Sequence, residues 1–411
     1  MTHPKMQYTY VGIDSHKDTH TAVFLDCFFE KLGALTFPNR PSQFDAFLAA
    51  ARPYLMEGTR FLFGLEDSAL FGRSLNIFLR ENGHPVKHVN SLLVAQERKN
   101  QAAIQKTDDI DAECAARVLL SKFSTLPDAT THDRYWVLRT LVLRRSALVK
   151  TNKALKNQLH AFLTQHYPAY RSYFFHIESK TALAFFMRYP SPGLLKDTTP
   201  EELAAMLELP SRGMHSMAKA KQILSSLEDT AVEMQQYRDV AVQSIIRQLQ
   251  FNLGELDQLE ATLTQLLDSL GTTLLTMKGL NTPSAAQLLS CIGDISRFAT
   301  PAKLARYAGI APITYASGKK DQQFTNQRGN RELNHVIYNL ALRVSMEFGS
   351  KKIVLNHYFH EYYRRKISEG KTKRQAIKCV MRRLVTIIWG MLTHGVAYVN
   401  PPAYRVSDTE A

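Results

Sequence analysis

Segments with the pattern of β-strands occur only in the first third of this chain, up to about residue 123, and this asymmetry restricts the possible folds most. Short apolar runs alternate there with segments of helical period, which predicts an α/β domain with a mixed sheet. From about residue 130 only helical periodicity remains. With 411 residues, the chain is too long for one typical domain, and we expect two or three.

The α/β region is predicted to contain five strands and three helices. The first two strands are separated by a short link, which is typical of a hairpin. The strands are predicted over Tyr8–Asp14, Thr19–Leu25, Gly33–Phe37, Arg60–Glu66 and Pro85–Val89, and the helices over Ser42–Tyr54, Ser68–Asn82 and Asp108–Phe123.

Two long helices are predicted beyond this region, over His132–His166 and Ser216–Gly271. Leucines recur every seven residues in both, and Asn252 interrupts the second heptad series. This spacing predicts an extended coiled-coil arm, with an ordinary helical bundle as the alternative. The first helix carries a run of cations that forms either a solvated face or a nucleic-acid surface: Arg139, Arg144, Arg145, Lys150, Lys153 and Lys156.

The C-terminal third is predicted to be mainly helical, with a polar, glycine-containing loop over Tyr315–Gly329. The segment Lys351–Arg383 contains eleven Lys and Arg residues against two acidic ones. Aromatic residues are interleaved with this charge, and the combination suits phosphate contacts and base stacking: Tyr358, Phe359, Tyr362 and Tyr363.

The net charge of +14 favours a polyanionic partner. No apolar run is long enough for a membrane span, and the N-terminus lacks the pattern of a signal peptide. The four cysteines are widely separated, which indicates reduced thiols and neither disulfides nor a zinc site. We therefore expect a soluble cytoplasmic protein that binds nucleic acid.

Four carboxylates form the candidate chemical site. Asp14 and Glu66 end two predicted strands, while Asp108 and Asp111 lie three apart at a helix start and share a face. If the strands are adjacent, the four acids converge, and hard oxygen ligands suit Mg²⁺ or Mn²⁺. Each acid also has a simpler explanation, because Asp14 can cap a turn and acids are favoured at helix N-termini.

Several motifs in this order resemble a family of bacterial insertion-sequence transposases. VGIDSHKDTHTAV, GLEDSALFG and KTDDIDAECAARVLL resemble the N-terminal domain of DEDD transposases, a group that includes Piv-type DNA invertases and bridge-RNA-guided recombinases. KGLNTPSAAQLLSCIGDISRF and SGKKDQQFTNQRGNRELNHVIYNLA resemble the C-terminal transposase domain. The resemblance implies a RuvC-like, RNase-H-type domain over 1–128, a coiled-coil arm over 129–271, a transposase domain with a helix-hairpin-helix-like segment over 272–400, and a tail over 401–411.

The resemblance implies a role for each candidate residue. The acidic tetrad falls on Asp14, Glu66, Asp108 and Asp111 as catalytic metal ligands. The nucleophile falls on Ser317, which would form a covalent phosphoserine-DNA intermediate. Thr314 and Thr325 lie close in sequence, so the choice of Ser317 depends on the resemblance. Asn281 replaces the second glycine of the hairpin motif, and we expect it to adopt the left-handed conformation.

The resemblance also implies partners. Donor and target DNA, a guide RNA from the element, and assembly as a dimer or tetramer are expected in the bacterial cytoplasm with the nucleoid. The candidate nucleic-acid contacts are Lys319, Lys320, Arg328, Arg331, Arg364, Arg365, Lys373 and Arg374. Two alternatives remain open: a RuvC-like nuclease that uses water instead of Ser317, and a non-catalytic scaffold that needs only the basic surfaces.

Overall fold

The computed structural model describes residues 3–400, apart from 67–70, 102–104, 106, 130–132, 212–216, 229–232, 318–319, 325 and 327–328. The backbone alone is described for 133, 209–211, 313–317 and 320–324. The chain divides into an N-terminal unit, Met1–Asp133, and a C-terminal unit, Arg134–Ala411. None of the helices in the described ranges combines the length and apolar character that a membrane span requires.

The N-terminal unit contains a five-stranded sheet, formed by β1 Tyr8–Ser15, β2 Thr19–Leu25, β3 Lys31–Pro38, β4 Arg60–Glu66 and β5 Val86–Val89. The strand order is β3-β2-β1-β4-β5. The first three strands pair antiparallel, whereas β4 pairs in parallel with both β1 and β5. The predicted mixed sheet and the predicted β1–β2 hairpin are confirmed.

Helices cover both faces of this sheet: α1 Phe44–Ala51, α2 Arg73–Glu81, α3 Ser91–Asn100 and α4 Asp108–Lys122. On one face, Val11 and Ile13 pack in a cluster with the phenylalanines of α1. On the other face, Tyr10 and Leu62 pack against the alanine-rich side of α4. Helix α3 was not predicted, because Val94 is its one buried side chain and its apolar periodicity is weak.

The C-terminal unit is mainly helical, as predicted. Its helices are α5 Asp133–His166, α6 Lys180–Arg188, α7 Pro200–Ser211, α8 Met217–Ser225, α9 Gln235–Ser269, α10 Thr282–Ile292, α11 Pro301–Tyr307, α12 Arg331–Ser345, α13 His357–Ser368 and α14 Lys373–His394. Two short antiparallel strand pairs accompany them, β6 Ile313–Ser317 with β7 Lys320–Phe324, and β8 Glu347–Phe348 with β9 Ile353–Val354.

Helices α5 and α9 pack side by side in opposite directions. Arg145 donates from Nε and a terminal nitrogen to Glu260 at 2.8 and 2.6 Å, and Asn252 donates to Asn152 at 2.8 Å. The paired residue numbers rise on one helix as they fall on the other, which defines the antiparallel register. Leu148 and Leu155 of the predicted heptad series are buried. Asn252 thus lies in the interface as a paired polar residue, which specifies the register.

Three predictions for this unit are wrong in detail. The second long helix is interrupted, because α8 ends at Ser225, where the hydroxyl of Ser226 bonds back to the Ile223 carbonyl at 2.8 Å. The segment predicted as a polar loop contains the β6–β7 hairpin. Asn281 is extended (φ −113°) and caps α10 by accepting from Ser284 N, while the left-handed position of the turn is Gly279 (φ 99°).

The aromatic residues of the basic C-terminal segment fall into two groups. Phe359 and Tyr363 are buried in the core formed by α10, α12 and α14, so they are not free to stack on bases. Tyr358 and Tyr362 are half-buried and stack on each other at 6.4 Å between ring centroids. The prediction that all four aromatic residues stack on nucleic-acid bases is therefore wrong for Phe359 and Tyr363.

Candidate carboxylate metal centre and serine hairpin

The first two acids lie side by side at the carboxyl ends of adjacent parallel strands. Asp14 of β1 is in register with Glu66, the last residue of β4. Residues that face each other in a parallel ladder project to the same side of the sheet. Asp14 is buried and Glu66 is half-buried.

Two glycines set how closely α4 approaches these strand ends. A Cβ atom on Gly12 would overlap Ala112 O and Ala116 N, both backbone atoms of α4. A Cβ on Gly64 would lie 2.9 Å from Val89 Cγ2 and 3.1 Å from Leu119. Gly12 precedes Asp14 by two positions in β1, so both residues face α4. The missing side chains therefore bring the first turn of α4 close to the acidic strand ends.

The second pair of acids lies in that first turn. The hydroxyl of Thr107 caps α4 by accepting from Ile110 N at 3.3 Å. Asp111 is buried and Asp108 is largely exposed. Asp109 is directed elsewhere and forms an ion pair with Lys31 at 2.6 Å. Asp108 and Asp111 lie three apart in this turn and so share a face of α4, which Asp109 does not.

A histidine that the sequence reasoning missed lies between two of these carboxylates. His16 Nε2 is 3.0 Å from Asp14 Oδ2 and 3.2 Å from Asp108 Oδ1. Burial lowers the pKa of His16, but the Asp14 and Asp108 carboxylates outweigh it, and the pKa lies above its ordinary value. Burial raises the pKa of Asp14, and Asp111 and Asp108 raise it further, against the opposing effect of His16.

An arginine in the site was also missed. Arg98 of α3 forms an ion pair with Asp111. The sequence offers no signal for this contact, because α3 was not predicted. His16 does have a signal, since it follows Asp14 by two positions in the VGIDSHKDTH motif. His16 therefore lies close to Asp14 and Asp108, and Arg98 lies close to Asp111.

The residues present fit a divalent metal ion. One donor atom from each of Asp14, His16 and Asp108 lies within 4.8 Å of the others, a spacing that allows coordination of one ion. His16 Nε2 lies between the Asp14 and Asp108 carboxylates, within reach of both. Hard carboxylate oxygens are the donors that Mg²⁺ and Mn²⁺ prefer.

Ser317 lies in a different structural setting. It is the last residue of β6, and its backbone pairs with Lys320, the first residue of β7. We call the two strands, residues 313–317 and 320–324, the serine hairpin. Lys319 and Arg328 lie outside the described residues.

A polar groove of about 320 Å³ is lined by residues from both sides of the serine hairpin in the sequence, among them Gly309, Asn330 and Arg331. Asn330 caps α12 by accepting from Leu333 N at 2.9 Å, and Arg331 is exposed at the first position of that helix. A Cβ on Gly329 (φ 131°) would lie 2.7 Å from Gly309 N. The groove therefore combines a helix N-terminus with an exposed arginine, an arrangement that suits an anion.

The remaining predicted contacts lie on α13 and α14. Arg364, Lys373 and Arg374 are exposed. Arg365 is half-buried, with its guanidinium 5.2 Å from the centroid of the Tyr362 ring. These cations lie at the end of one helix and the start of the next, away in sequence from the serine hairpin.

Comparison with known proteins identifies two matched segments. Residues 11–168 match a family model for the DEDD transposase domain of the IS110 type, described as transposase. Residues 271–364 match a model described as transposase IS116/IS110/IS902 family. The first segment contains the four carboxylates and the second contains Ser317.

Similarity to individual relatives extends over nearly the whole chain. The chain is 25% identical over 392 residues to a 44.8 kDa protein of insertion element IS116 from Streptomyces clavuligerus, which covers 93% of this chain and 94% of that relative. It is 24% identical over 399 residues to a 42 kDa protein of insertion element IS900 from Mycobacterium paratuberculosis, covering 95% and 97%. A shorter match of 121 residues, 29% of this chain and 35% of the relative, is 34% identical to the pilin gene-inverting protein of Moraxella bovis.

Proposed function

The chain belongs to the IS110/IS116 family of DNA transposases, and from this premise we propose that it cleaves and rejoins DNA through a serine nucleophile assisted by a carboxylate-bound metal ion. The observation that carries the proposal is the in-register pairing of Asp14 with Glu66 beneath the first turn of α4. The family's DEDD transposase domain implies a divalent metal.

The four carboxylates Asp14, Glu66, Asp108 and Asp111 would hold Mg²⁺. When bound, the ion would neutralise their mutual repulsion and polarise a phosphate oxygen of the DNA. When the ion is bound, His16 and Arg98 would either lose their contacts with the acids or keep them beside the ion. The RuvC-like assignment of residues 1–128 is supported by the strand order and by the carboxylates at the ends of its two central parallel strands.

Ser317 would supply the nucleophile. Its hydroxyl oxygen attacks a DNA phosphorus atom, the serine proton passes to a base or water, and the bond from phosphorus to one deoxyribose oxygen breaks. That oxygen leaves as a hydroxyl after it takes up a proton. The phosphoserine bond conserves the energy of the phosphodiester, so a hydroxyl from a second strand end rejoins the DNA by the reverse step.

The other parts of the proposal concern partners. Donor and target DNA would contact Lys319, Lys320, Arg328, Arg331, Arg364, Arg365, Lys373 and Arg374. A guide RNA and a dimer or tetramer are proposed from the family resemblance, with the nucleoid of a bacterial cell as the place of action. We assign residues 129–271 as the coiled-coil arm, 272–400 as the transposase domain and 401–411 as a tail.

An adduct assay tests the proposal. The protein is incubated with Mg²⁺ and DNA that carries the element ends and target, and covalent protein–DNA species are resolved under denaturing conditions. We expect an adduct with the wild type and with Thr314→Ala, a matched hydroxyl deletion on the same strand. Ser317→Ala should form none.

Two other outcomes assign a different function. Cleavage without an adduct that persists in Ser317→Ala and fails in Asp14→Asn would identify a metal-dependent nuclease that uses water. Binding without cleavage, with and without RNA transcribed from the element's non-coding ends, would identify a scaffold.

A further inference from the structure

A pocket of about 770 Å³ lies between α5 and the helical insert, the name we use for residues 167–234. Helix α5 contributes Asn157, His160 and Thr164 to its lining. The insert contributes Arg171, Phe175 and Phe186. The volume lies in the range that accommodates a small organic ligand or a comparable group of a macromolecule.

Aromatic rings form both the floor and the rim of this pocket. Phe186 is buried at the floor, whereas Phe175 is 96% exposed. The Phe175 ring packs against His176, edge to face, with 4.5 Å between the ring centroids. An almost fully exposed phenylalanine beside a cavity leaves a large apolar face in water, so a partner with a flat apolar face would remove that cost.

Polar groups between floor and rim form a short hydrogen-bonded chain. Arg171 Nε donates to the Tyr170 hydroxyl at 3.3 Å, and that hydroxyl lies 2.8 Å from His160 Nδ1. Burial lowers the pKa of His160, and the charge of Arg171 lowers it further. Either group can be the donor in the hydrogen bond between Tyr170 and His160, depending on which imidazole nitrogen carries the hydrogen. The pocket thus offers hydrogen-bond donors as well as rings.

The charge around the pocket is positive. Among the described residues that line it, Arg171 is positively charged and none is Asp or Glu. Glu178 lies nearby, but it pairs with Lys156 at 3.0 Å. Lys150 and Lys153 are exposed on α5, and Lys153 precedes Asn157 by four positions, so it lies one turn away on the same face. A line of cations therefore leads along the helix to the pocket.

We propose that this pocket binds an unpaired base of single-stranded DNA. Phe175 stacks on the base, the polar groups of α5 bond to its edge, and Arg171 and Lys153 contact the flanking phosphates. The cations beside the pocket, Arg171, Lys150 and Lys153, favour a polyanionic occupant. RNA offers the same chemistry, and DNA is chosen because the family acts on DNA. Only the choice of DNA over RNA depends on the proposed function.

The test measures fluorescence anisotropy with a labelled fifteen-nucleotide oligo(dT) and with a duplex of equal length, in EDTA so that no cleavage occurs. Phe175→Ala should weaken oligo(dT) binding roughly five- to hundred-fold and leave duplex binding within about twofold. The matched control is Phe251→Ala, since Phe251 is 66% exposed on α9 and does not line the pocket. This control should bind like the wild type.

Two further variants report on the contacts themselves. Tryptophan fluorescence of Phe175→Trp should be quenched by oligo(dT), because the introduced ring would stack on a base. Arg171→Ala should reduce the slope of log affinity against log salt concentration by about 0.7 if one phosphate contact is lost, whereas Arg171→Lys should retain it.

Several results would overturn the proposal. Equal losses in Phe175→Ala and Phe251→Ala, or no loss in either, exclude the pocket as the binding site. Tighter binding of oligo(U) with the same dependence on Phe175 excludes DNA as the preferred ligand of the pocket. A change in sedimentation of Phe175→Ala without a change in oligo(dT) binding assigns the surface to a second copy. The assay does not involve Ser317 or metal, so its failure leaves the adduct assay unaffected.

Discussion

The carboxylate centre and the serine hairpin are built on different physical foundations. Asp14 and Glu66 lie at the carboxyl ends of β1 and β4, neighbouring strands whose side chains are buried on both faces of the sheet. Ser317 ends one strand of a two-stranded ribbon. Two strands alone are only marginally stable in water, whereas a sheet packed on both sides is held by its core.

This difference shows two ways in which a fold can hold a reactive side chain. The core of the N-terminal unit determines the positions of its acids, at the cost of bringing like charges together. The serine hairpin, by contrast, is a separate two-stranded sheet in the helical unit. Substitutions near the acids should therefore affect folding and chemistry together, while substitutions in the hairpin should affect chemistry alone.

The largest effect is expected from removing one carboxylate of the centre. Asp14→Asn should lower the rate of adduct formation on the order of a thousand-fold, because the ion and the phosphate lose a charged ligand. The rate is measured by single-turnover assay in Mg²⁺. Asp109→Asn is the matched control, because Asp109 pairs with Lys31 outside the centre, and it should stay within about twofold. A similar loss in both variants would contradict the assignment.

The next effect concerns the approach of α4 to the sheet. Gly12→Ala places a methyl group against backbone atoms of α4 and should lower the free energy of unfolding by on the order of 3 kcal/mol. Gly254→Ala, in α9 with open space around it, should instead stabilise by about 0.5–1 kcal/mol. Denaturant unfolding measures both. An unchanged midpoint for Gly12→Ala would show that α4 does not pack as described.

Arg98→Gln should have a smaller, metal-dependent effect. It removes the cation beside the buried Asp111, which should destabilise the metal-free protein by about 2 kcal/mol. Manganese should then raise the thermal midpoint more in the variant than in the wild type, because the ion no longer competes with the arginine. Differential scanning calorimetry with and without Mn²⁺ measures the difference. Equal rises in both proteins would show that Arg98 and the ion do not compete.

A weaker effect is expected from pH. The pKa values of His16 and Asp14 are both raised on folding. Each group therefore contributes stability that is complete below its unfolded pKa and is lost as the pH rises through its folded value. For His16 the loss begins above about pH 6.5. In EDTA the thermal midpoint should fall between pH 6 and pH 8.5, with a shallower fall in His16→Gln. Parallel curves would contradict this account.

The smallest effect is expected in the serine hairpin. Gln322→Ala, opposite Tyr315 in the ribbon, should change the free energy of unfolding by less than about 0.5 kcal/mol. Denaturant unfolding of Gly12→Ala under the same conditions shows how much larger the loss of stability is in the N-terminal unit. A loss of several kcal/mol would show that the hairpin supports the core of its unit.

The parts of the fold that follow from local pattern were predictable. The strand Arg60–Glu66 has the predicted bounds, and α4 begins at Asp108 as expected. Leu148 and Leu155 of the heptad series are buried. The serine hairpin was missed because its alternation is mostly polar and so is similar to that of a loop, and α3 was missed because it buries a single side chain.

For the candidate site, the sequence by itself determined which side chains end the strands and which begin α4, because strand and helix periods decide the direction of each side chain. Tertiary structure alone decided that Asp14 and Glu66 are neighbours, that His16 lies between Asp14 and Asp108, and that Arg98 pairs with Asp111. These contacts join residues that are distant in sequence or depend on how closely a helix approaches a sheet. The distance between α4 and the sheet is set at Gly12 by the absence of a side chain, and the periodicity of the sequence does not predict it.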